Sequence, residues 1–429
     1  MKIFRSYKTE LAPNNVQRTS FVKAAGVRRF VYNWGLSRRI EEYRTTGRSN
    51  NAFEQDKQLN AIKAIEFPWM YEVSKCVPQA ALSDLDRAYG NFFRRLRAKE
   101  KPGFPKFKSK KDNPRFRFSS RCPVALDRIR LPKIGWVRLK EKGYIPISGT
   151  IGIKQLSTTV KGTGSGRWFV NVQCEVEIDS PVSPPETKVD SLGIDLGLTY
   201  FATLFDGTKF ISPRPLKRMQ KKLARLQRGL SRKAKGSSNR QKAVKRLSIM
   251  QFRIACQRKD FVHKLTSLLV KTKPAMKYVL EGLKVQNMMR NHRLAGAIAD
   301  SGWDMFRQQM KYKAKWAGKS VLEADQFFPS SKMCSKCRSV NFSLTLEDRI
   351  FVCPACGFMV DRDVNAAVNL TNYEKYLADG TWSPRSKPDL PSVRRKVTPV
   401  ERKGTKQPQG NRNKARMPPV VSTNFGSIR

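Results

Sequence analysis

The chain has 429 residues, with 85 Lys and Arg against 34 Asp and Glu for a net charge of +51, and 39% of it is hydrophobic. That apolar share can bury cores over two or three domains, and the excess positive charge demands a polyanionic partner, nucleic acid first among them. No run of about 18 apolar residues is present and the opening MKIFRSYKTE lacks the apolar stretch of a secretory signal, which excludes a membrane span and predicts an intracellular protein in which disulfides are rare.

Residues 1–10 read as a strand, with Ile3, Arg5 and Tyr7 on one face and Phe4 and Ser6 on the other. From Asn14 to Glu100 the pattern turns helical and basic: Val27, Phe30, Val31 and Trp34 recur at helical spacing, as do Leu82, Leu85, Tyr89 and Phe92. Prolines keep the basic, aromatic stretch KPGFPKFKSKKDNPRFRF (101–118) out of any helix interior. A β-rich region follows, its clearest strand at 168–178, where Trp168, Val170, Val172, Cys174, Val176 and Ile178 alternate with more polar residues. The preceding KGTGSG (161–166) closes a hairpin rather than cradling a phosphate, since no helix follows it.

DSPVSPPETKVD (179–190) reads as a linker. Beyond it, SLGIDLG (191–197) is an apolar strand, and YFATLF and TKFI are two more strands joined at a DG turn. Residues 215–271 form two basic helices around a break at 236–238, the second with Val244, Leu247, Ile254, Phe261, Leu265 and Leu268 on one face. KYVLE (277–281) and KSVLEAD (319–325) are strands flanking a helix at about 301–317, and the last fifty residues hold seven prolines, twelve Lys and Arg and only two acids, a composition with little to bury.

Cys334-x2-Cys337, fifteen residues, then Cys353-x2-Cys356 is the spacing of two metal knuckles, able to present four thiolates to one tetrahedral Zn²⁺. A site closed by four cysteines is structural. Arg338 stands where such a knuckle commonly carries Gly. Cys76, Cys122, Cys174 and Cys256 are scattered and read as small hydrophobes, and His263 and His292 have no ligand partner in sequence. Three acids occupy positions where a carboxylate is costly unless it is paired or bound to metal: Asp195 inside an apolar strand, Glu281 at the end of another, and Asp363 opening DVNAAVNL. In a polyanion-binding chain they suit two Mg²⁺ ions that activate water and stabilise a leaving oxygen during phosphodiester hydrolysis.

The segments GIDLGLTYFATL, VLEGLKVQNMMRNHRLAGAIADSGW, FFPSSKMCSKC and CPACGFMVDRDVNAAVNL, in that order over roughly 190–370, resemble TnpB, the transposon-encoded RNA-guided nucleases related to compact type V CRISPR effectors. The N-terminal half is similar in length, basicity and its KPGFPKFKSK segment. The resemblance implies α/β, β-barrel and helical parts: a wedge β-barrel begun at 1–13 and completed at 113–186, an inserted helical recognition domain (14–112), an RNase H-like (RuvC) nuclease (187–329 and 361–372), a zinc ribbon (330–360) and a basic, disordered tail (373–429).

It implies an endonuclease that holds a noncoding guide RNA, reads a short motif beside a double-stranded DNA target and cuts the matched DNA, with Asp195, Glu281 and Asp363 holding two Mg²⁺, Asp361 as the alternative third ligand, and Cys334, Cys337, Cys353 and Cys356 holding one Zn²⁺. Lys75 and Gln79, four apart, are candidates to read the motif, with Pro78 between them. Tyr32, Trp34, Phe104, Phe107, Phe116 and Phe118 either stack on bases or fill the core. The expected place is the prokaryotic cytoplasm, at the nucleoid, as monomer or dimer. A non-cleaving RNA-guided binder or transposition regulator is the alternative, as is, more distantly, an actin-like ATPase suggested by GIDLG and Thr199.

Overall fold

The structure, a computed structural model, describes residues 2–178, 190–273, 275–345 and 347–383. Its N-terminal part starts with strand β1 (Lys2–Ala12), then helices α1 (Asn15–Thr46) and α2 (Ala52–Glu66), a 3-10 turn (Pro68–Glu72) and α3 (Cys76–Arg97). Strands β2 (Arg115–Phe118), β3 (Arg128–Leu131), β4 (Gly135–Leu139), β5 (Ile153–Gly162) and β6 (Trp168–Glu177) follow. Asn14 and Asn51 each close a capping box, with Gln17 and Glu54, so both long helices begin where their first N–H groups find side-chain acceptors.

The sheet order is β2-β5-β6-β1-β4-β3, antiparallel throughout, with β1 and β6 registered from Lys2↔Glu177 to Leu11↔Trp168. The strands expected for the wedge barrel are all paired in this one six-stranded sheet, with β2 and β3 at the ends of its order among the described residues. The helices between β1 and β2 pack on this sheet: Phe21 of α1 packs on Phe116 at 5.7 Å and Trp168 at 5.0 Å, and one continuous core runs from Ile3 through Leu85 to Val176. The KGTGSG hairpin forms as expected, Thr163 N–H donating to the Arg167 carbonyl between β5 and β6. The 179–189 part of the expected linker lies outside the described residues.

The C-terminal part carries β7 (Ser191–Asp195), β8 (Tyr200–Leu204), β9 (Lys209–Ile211), α4 (Pro215–Ser231), α5 (Ser238–Thr272), β10 (Lys277–Leu280), α6 (Val285–Met288), α7 (His292–Ser301), α8 (Trp303–Trp316) and β11 (Ser320–Glu323). It ends with β12 (Ile350–Val352), β13 (Met359–Asp361), α9 (Arg362–Thr371) and α10 (Tyr373–Ala378). Its five-stranded sheet has the order β11-β10-β7-β8-β9; β11, β10 and β7 run parallel, while β8 and β9 return antiparallel. α5 and α8 cover one face through Phe201, Phe261 and Phe306, and α9 crosses β7 on the other.

The buried face of α5 is formed by Met250, Ile254, Val262, Leu265 and Leu269; Val244 and Leu268, expected there, are exposed, because the face drifts around a helix longer than the strict repeat allows. The helix expected at 301–317 is α8, which α7 meets at Gly302. Residues 373–383, expected to belong to the tail, include the helix α10. Tyr373 and Tyr376 of α10 are buried and, with Trp382, surround Phe328, so three aromatic rings give this segment something to bury; the tail from 384 onward lies outside the described residues.

Candidate active site and cysteine cluster

Asp195 ends β7, and Glu281 follows β10 directly. Because Leu280 is registered with Ile194, the next position brings the two carboxylates abreast at the C-terminal ends of neighbouring parallel strands, where clefts open in sheets of this kind. The third acid comes from α9. Gly193 lets that helix touch the strand: a Cβ there would lie 2.2 Å from the Ala367 carbonyl and 2.4 Å from the Thr371 nitrogen, and the Gly193 N–H instead donates to Thr371 Oγ1 at 2.9 Å. Gly282 plays the same part beside Glu281, where a Cβ would meet the Ala324 carbonyl at 2.2 Å.

Asp195 titrates well above the usual carboxylate range. Burial is the main cause, the charges of Glu281, Asp363 and Asp361 add to it, and Arg362 offsets part. Burial likewise pushes Glu281 up to about 7. No side-chain hydrogen bond or ion pair to either carboxylate is found among the described residues, so the pair is buried like charge that Arg362 offsets only in part at Asp195, the electrostatic condition that a divalent cation relieves. Asp363 lies in the first turn of α9 and meets Arg362 at 3.7 Å.

Asp361 is differently employed. It caps α9, its Oδ1 accepting from the N–H groups of Asp363 (3.0 Å) and Val364 (3.2 Å), and its Oδ2 accepts from Lys209 Nζ at 2.6 Å. Burial would raise its pKa, but Lys209 and these N–H groups outweigh it, and Asp361 lies below the ordinary value. It already accepts three hydrogen bonds, while Asp363 has only the longer contact with Arg362 and is freer for a ligand.

The four cysteine sulfurs all lie within 4.8 Å of one another, with Cys334 and Cys356 at 3.8 Å and Cys337 and Cys353 at 3.5 Å. Among the described residues this is the one group of potential ligands so closely gathered. Four soft sulfur donors at this spacing fit tetrahedral zinc. Burial would raise the Cys353 thiol, but the N–H groups of Cys356 and Ala355 and the neighbouring thiols bring it down to about 6, towards the thiolate that a metal needs.

Arg338 and Gly357 occupy the same place after their knuckles, and both have φ of +68°, a left-handed conformation costly for Arg. Its guanidinium offsets the cost: it donates to Asp379 Oδ2 (2.7 Å) and Thr381 Oγ1 (2.9 Å) and lies over the Tyr376 ring at 5.4 Å, tying the cysteine cluster to the chain after α10.

Two residues with no role assigned from sequence connect the cysteines to the acids. Asn365 and Asn369, one turn apart on α9, are completely buried and donate to the Met333 carbonyl at 2.7 and 2.6 Å, while Asn365 Oδ1 accepts from Ser335 N–H. The signal was present in DVNAAVNL, since two Asn four apart among Ala, Val and Leu must find buried partners.

Lys75 occupies the residue before α3, without a side-chain capping hydrogen bond, and Gln79 lies one turn in; both are exposed, and Gln79 Nε2 donates to Asp56 at 3.2 Å. The aromatic set divides. Tyr32, Phe116 and Phe118 are buried in the core, Trp34 is partly buried against it, and Phe104 and Phe107 are exposed. Between Asp206 and Asp260 no acid occurs. In α4, Lys217, Arg218, Lys221, Lys222, Arg225 and Arg228 are all exposed and share an arc of about 140°, with the apolar side turned to α5. The start of α4 is held near the carboxylates: Arg214 donates to the Leu198 carbonyl in the loop after Asp195, and buried Asp300 accepts from the N–H of Leu216 and Lys217.

Residues 1–48 match a family profile described as a helix-turn-helix domain, 170–292 one described as a probable transposase, and 303–370 the TNB domain of Cas12f1-like proteins. A Streptomyces pristinaespiralis protein named as an RNA-guided DNA endonuclease is 34% identical over 86% of this chain and 89% of its own. The Escherichia coli protein InsQ, named in the same way, is also 34% identical, over 86% of this chain and 92% of its own. A solved structure of the RNA-guided endonuclease CRISPR-Cas phi3 covers 86% of this chain and 92% of its own at 9% identity and a TM-score of 0.45, too distant a likeness to carry weight.

Proposed function

The chain belongs to the TnpB family of RNA-guided DNA endonucleases, and from that premise we propose that it holds a noncoding guide RNA from its transposon end, recognises a short motif beside a complementary double-stranded DNA site, and hydrolyses that DNA. The observation that carries this reading is the buried like-charged pair Asp195 and Glu281 at the ends of adjacent parallel strands, with Asp363 brought alongside by α9. A mixed sheet with acids so placed supports a RuvC-like, RNase H-type nuclease. Asp195, Glu281 and Asp363 would hold two Mg²⁺, and the four cysteines one Zn²⁺. Bound there, the Mg²⁺ ions supply water activation and stabilisation of the leaving oxygen.

The protein's own groups do the rest. Asp361 fixes the start of α9 and draws Lys209 towards the carboxylates, so Asp363 keeps its aim. Asn365 and Asn369 transmit the position of the cysteine cluster to the same helix. The cationic face of α4, rooted beside the loop after Asp195, presents charge to phosphates without reading sequence. Lys75 and Gln79 are proposed for the adjacent motif, the exposed Phe104 and Phe107 for stacking on bases. Among the described residues no helix is long and apolar enough to cross a membrane, and the proposed place of action is the prokaryotic nucleoid.

The test is to express the protein with its flanking DNA, sequence the RNA that copurifies, and assay cleavage of guide-matched plasmids with randomised adjacent sequence in Mg²⁺, beside Asp195→Ala. One discrete RNA, with cleavage that needs its match, Mg²⁺ and Asp195, is the expected result. Specific binding without cleavage would transfer the protein to the non-cleaving binders; absence of a discrete RNA would overturn the reading.

A further inference from the structure

Where α1 and α3 meet the edge of the N-terminal sheet, a cavity of about 300 Å³ is lined by five cationic side chains, Arg28, Arg87, Lys108, Arg115 and Arg117, and by one carboxylate, Asp84. Asp84 is fully engaged: Arg28 meets it at 2.8 Å, Arg117 at 3.2 Å and Arg87 at 3.7 Å. One acid cannot neutralise five cations held in a partly buried hollow, and the remaining like charges repel at short range. Burial, then the neighbouring guanidinium groups, lowers the pKa of Lys108, and burial and Arg28 lower that of Arg115; Asp84 and Asp112 offset only part in each case. Arg117 adds a direct sign of a missing acceptor, since its Nε is buried without a hydrogen-bond partner.

The cavity is built. Asn33 of α1 clamps the Lys108 backbone from both sides, its Oδ1 accepting from the Lys108 N–H at 2.7 Å and its Nδ2 donating to the Lys108 carbonyl at 3.0 Å. The Lys108 ammonium lies 4.7 Å from the Tyr32 ring. An adjoining cavity of about 310 Å³ shares Arg28, Lys108 and Arg115, adds Arg29 and Lys161, and holds one further carboxylate, Asp112, so five cations there face a single acid. Two hollows with common cationic walls suit consecutive phosphates of a polymer better than a single free anion. The exposed rings of Phe104 and Phe107 belong to the same loop as Lys108.

We propose that this paired cavity is a phosphodiester site that seats successive backbone phosphates of the bound nucleic acid, with Lys108 and Arg115 as contacting groups and the Arg28–Asp84–Arg117 network as their fixed support. This deepens the functional reading above and rests on it for the nature of the ligand.

The test is the full-length double variant Lys108→Gln/Arg115→Gln, which leaves the Asp84 network intact, beside the exposed control pair Lys99→Gln/Lys142→Gln. Affinity is measured over a salt series in two arms: for the RNA that copurifies with the wild type, and for target duplex loading onto the preassembled RNA complex. In one of the arms the pocket variant should bind about tenfold more weakly, with the slope of log K against log salt reduced by about 1.5, as loss of two phosphate contacts requires. The control pair should stay within about twofold.

The arm that changes names the source of the phosphates. Equal losses in both variants, or no loss in either arm, overturn the site. A wild type that carries no discrete RNA refutes the functional reading instead. The pocket is then judged by pyrophosphate: stabilisation of the wild type against heat but not of the pocket variant upholds an anion site, and equal or absent stabilisation overturns it.

Discussion

Glu281→Gln offers a test of the carboxylate site that does not need cleavage. The substitution keeps shape and removes charge. Held near 7 rather than at its ordinary 4.5, the ionised Glu281 carboxyl costs the folded protein about 3 kcal/mol at 1.36 kcal/mol per pH unit. The sign follows from linkage: an acid with a raised folded-state pKa is neutral and harmless below about 4.5, weakens the fold as pH rises from 4.5 to 7, and exerts its full cost above that. In magnesium-free buffer at pH 8 the variant should therefore melt several degrees above the wild type by differential scanning fluorimetry, and the gap should close towards pH 4.5. No chelator is used, because it would also compete for the cysteine site. Millimolar Mg²⁺ should raise the wild type more than the variant, since a cation bound only by the folded protein stabilises it by mass action. A variant no more stable than the wild type at pH 8 would refute the buried-charge argument, and equal stabilisation of both by Mg²⁺ would show that Glu281 does not hold the ion.

The third acid is resolved by comparing Asp363→Asn with Asp361→Ala. The first should reduce cleavage at least about a thousandfold without moving the melting temperature much, whereas the second, which loses a helix cap and the Lys209 pair, should cost about 1 to 2 kcal/mol in thermal unfolding and leave cleavage measurable. Gly193→Ala places a Cβ against the Ala367 carbonyl, so α9 must move off β7; a loss of about 3 kcal/mol or more, together with lost cleavage, is expected by thermal unfolding and plasmid assay. Cys337→Ser/Cys356→Ser should abolish the zinc expected by elemental analysis and make the segment around β12 and β13 sensitive to limited proteolysis; retained zinc would refute the assignment.

Local chemistry made much of the protein readable in one dimension. Alternation drew β6, the DG turn joined β8 to β9, and the CxxC pairs announced their own convergence, because each depends only on near neighbours in the chain. The acids were visible for a similar reason: a carboxylate among Leu, Ile and Val violates burial rules whatever the fold. Their grouping was not. Asp195 and Glu281 are abreast because β7 and β10 pair in a particular register, and Asp363 joins them because Gly193 admits α9 to the strand.

Only three-dimensional packing separated Asp361 the cap from Asp363 the freer carboxylate, gave Asn365 and Asn369 a purpose, and made the N-terminal sheet share its core with α1. It also gathered Arg28, Lys108 and Arg115, scattered over almost ninety residues, around one aspartate. Spacing along the chain fixes what an element buries, since that is set by a period of two or 3.6 residues. Which buried faces meet, and which charges are left without partners when they do, is decided by contacts between residues far apart in sequence, and those exist only in the folded chain.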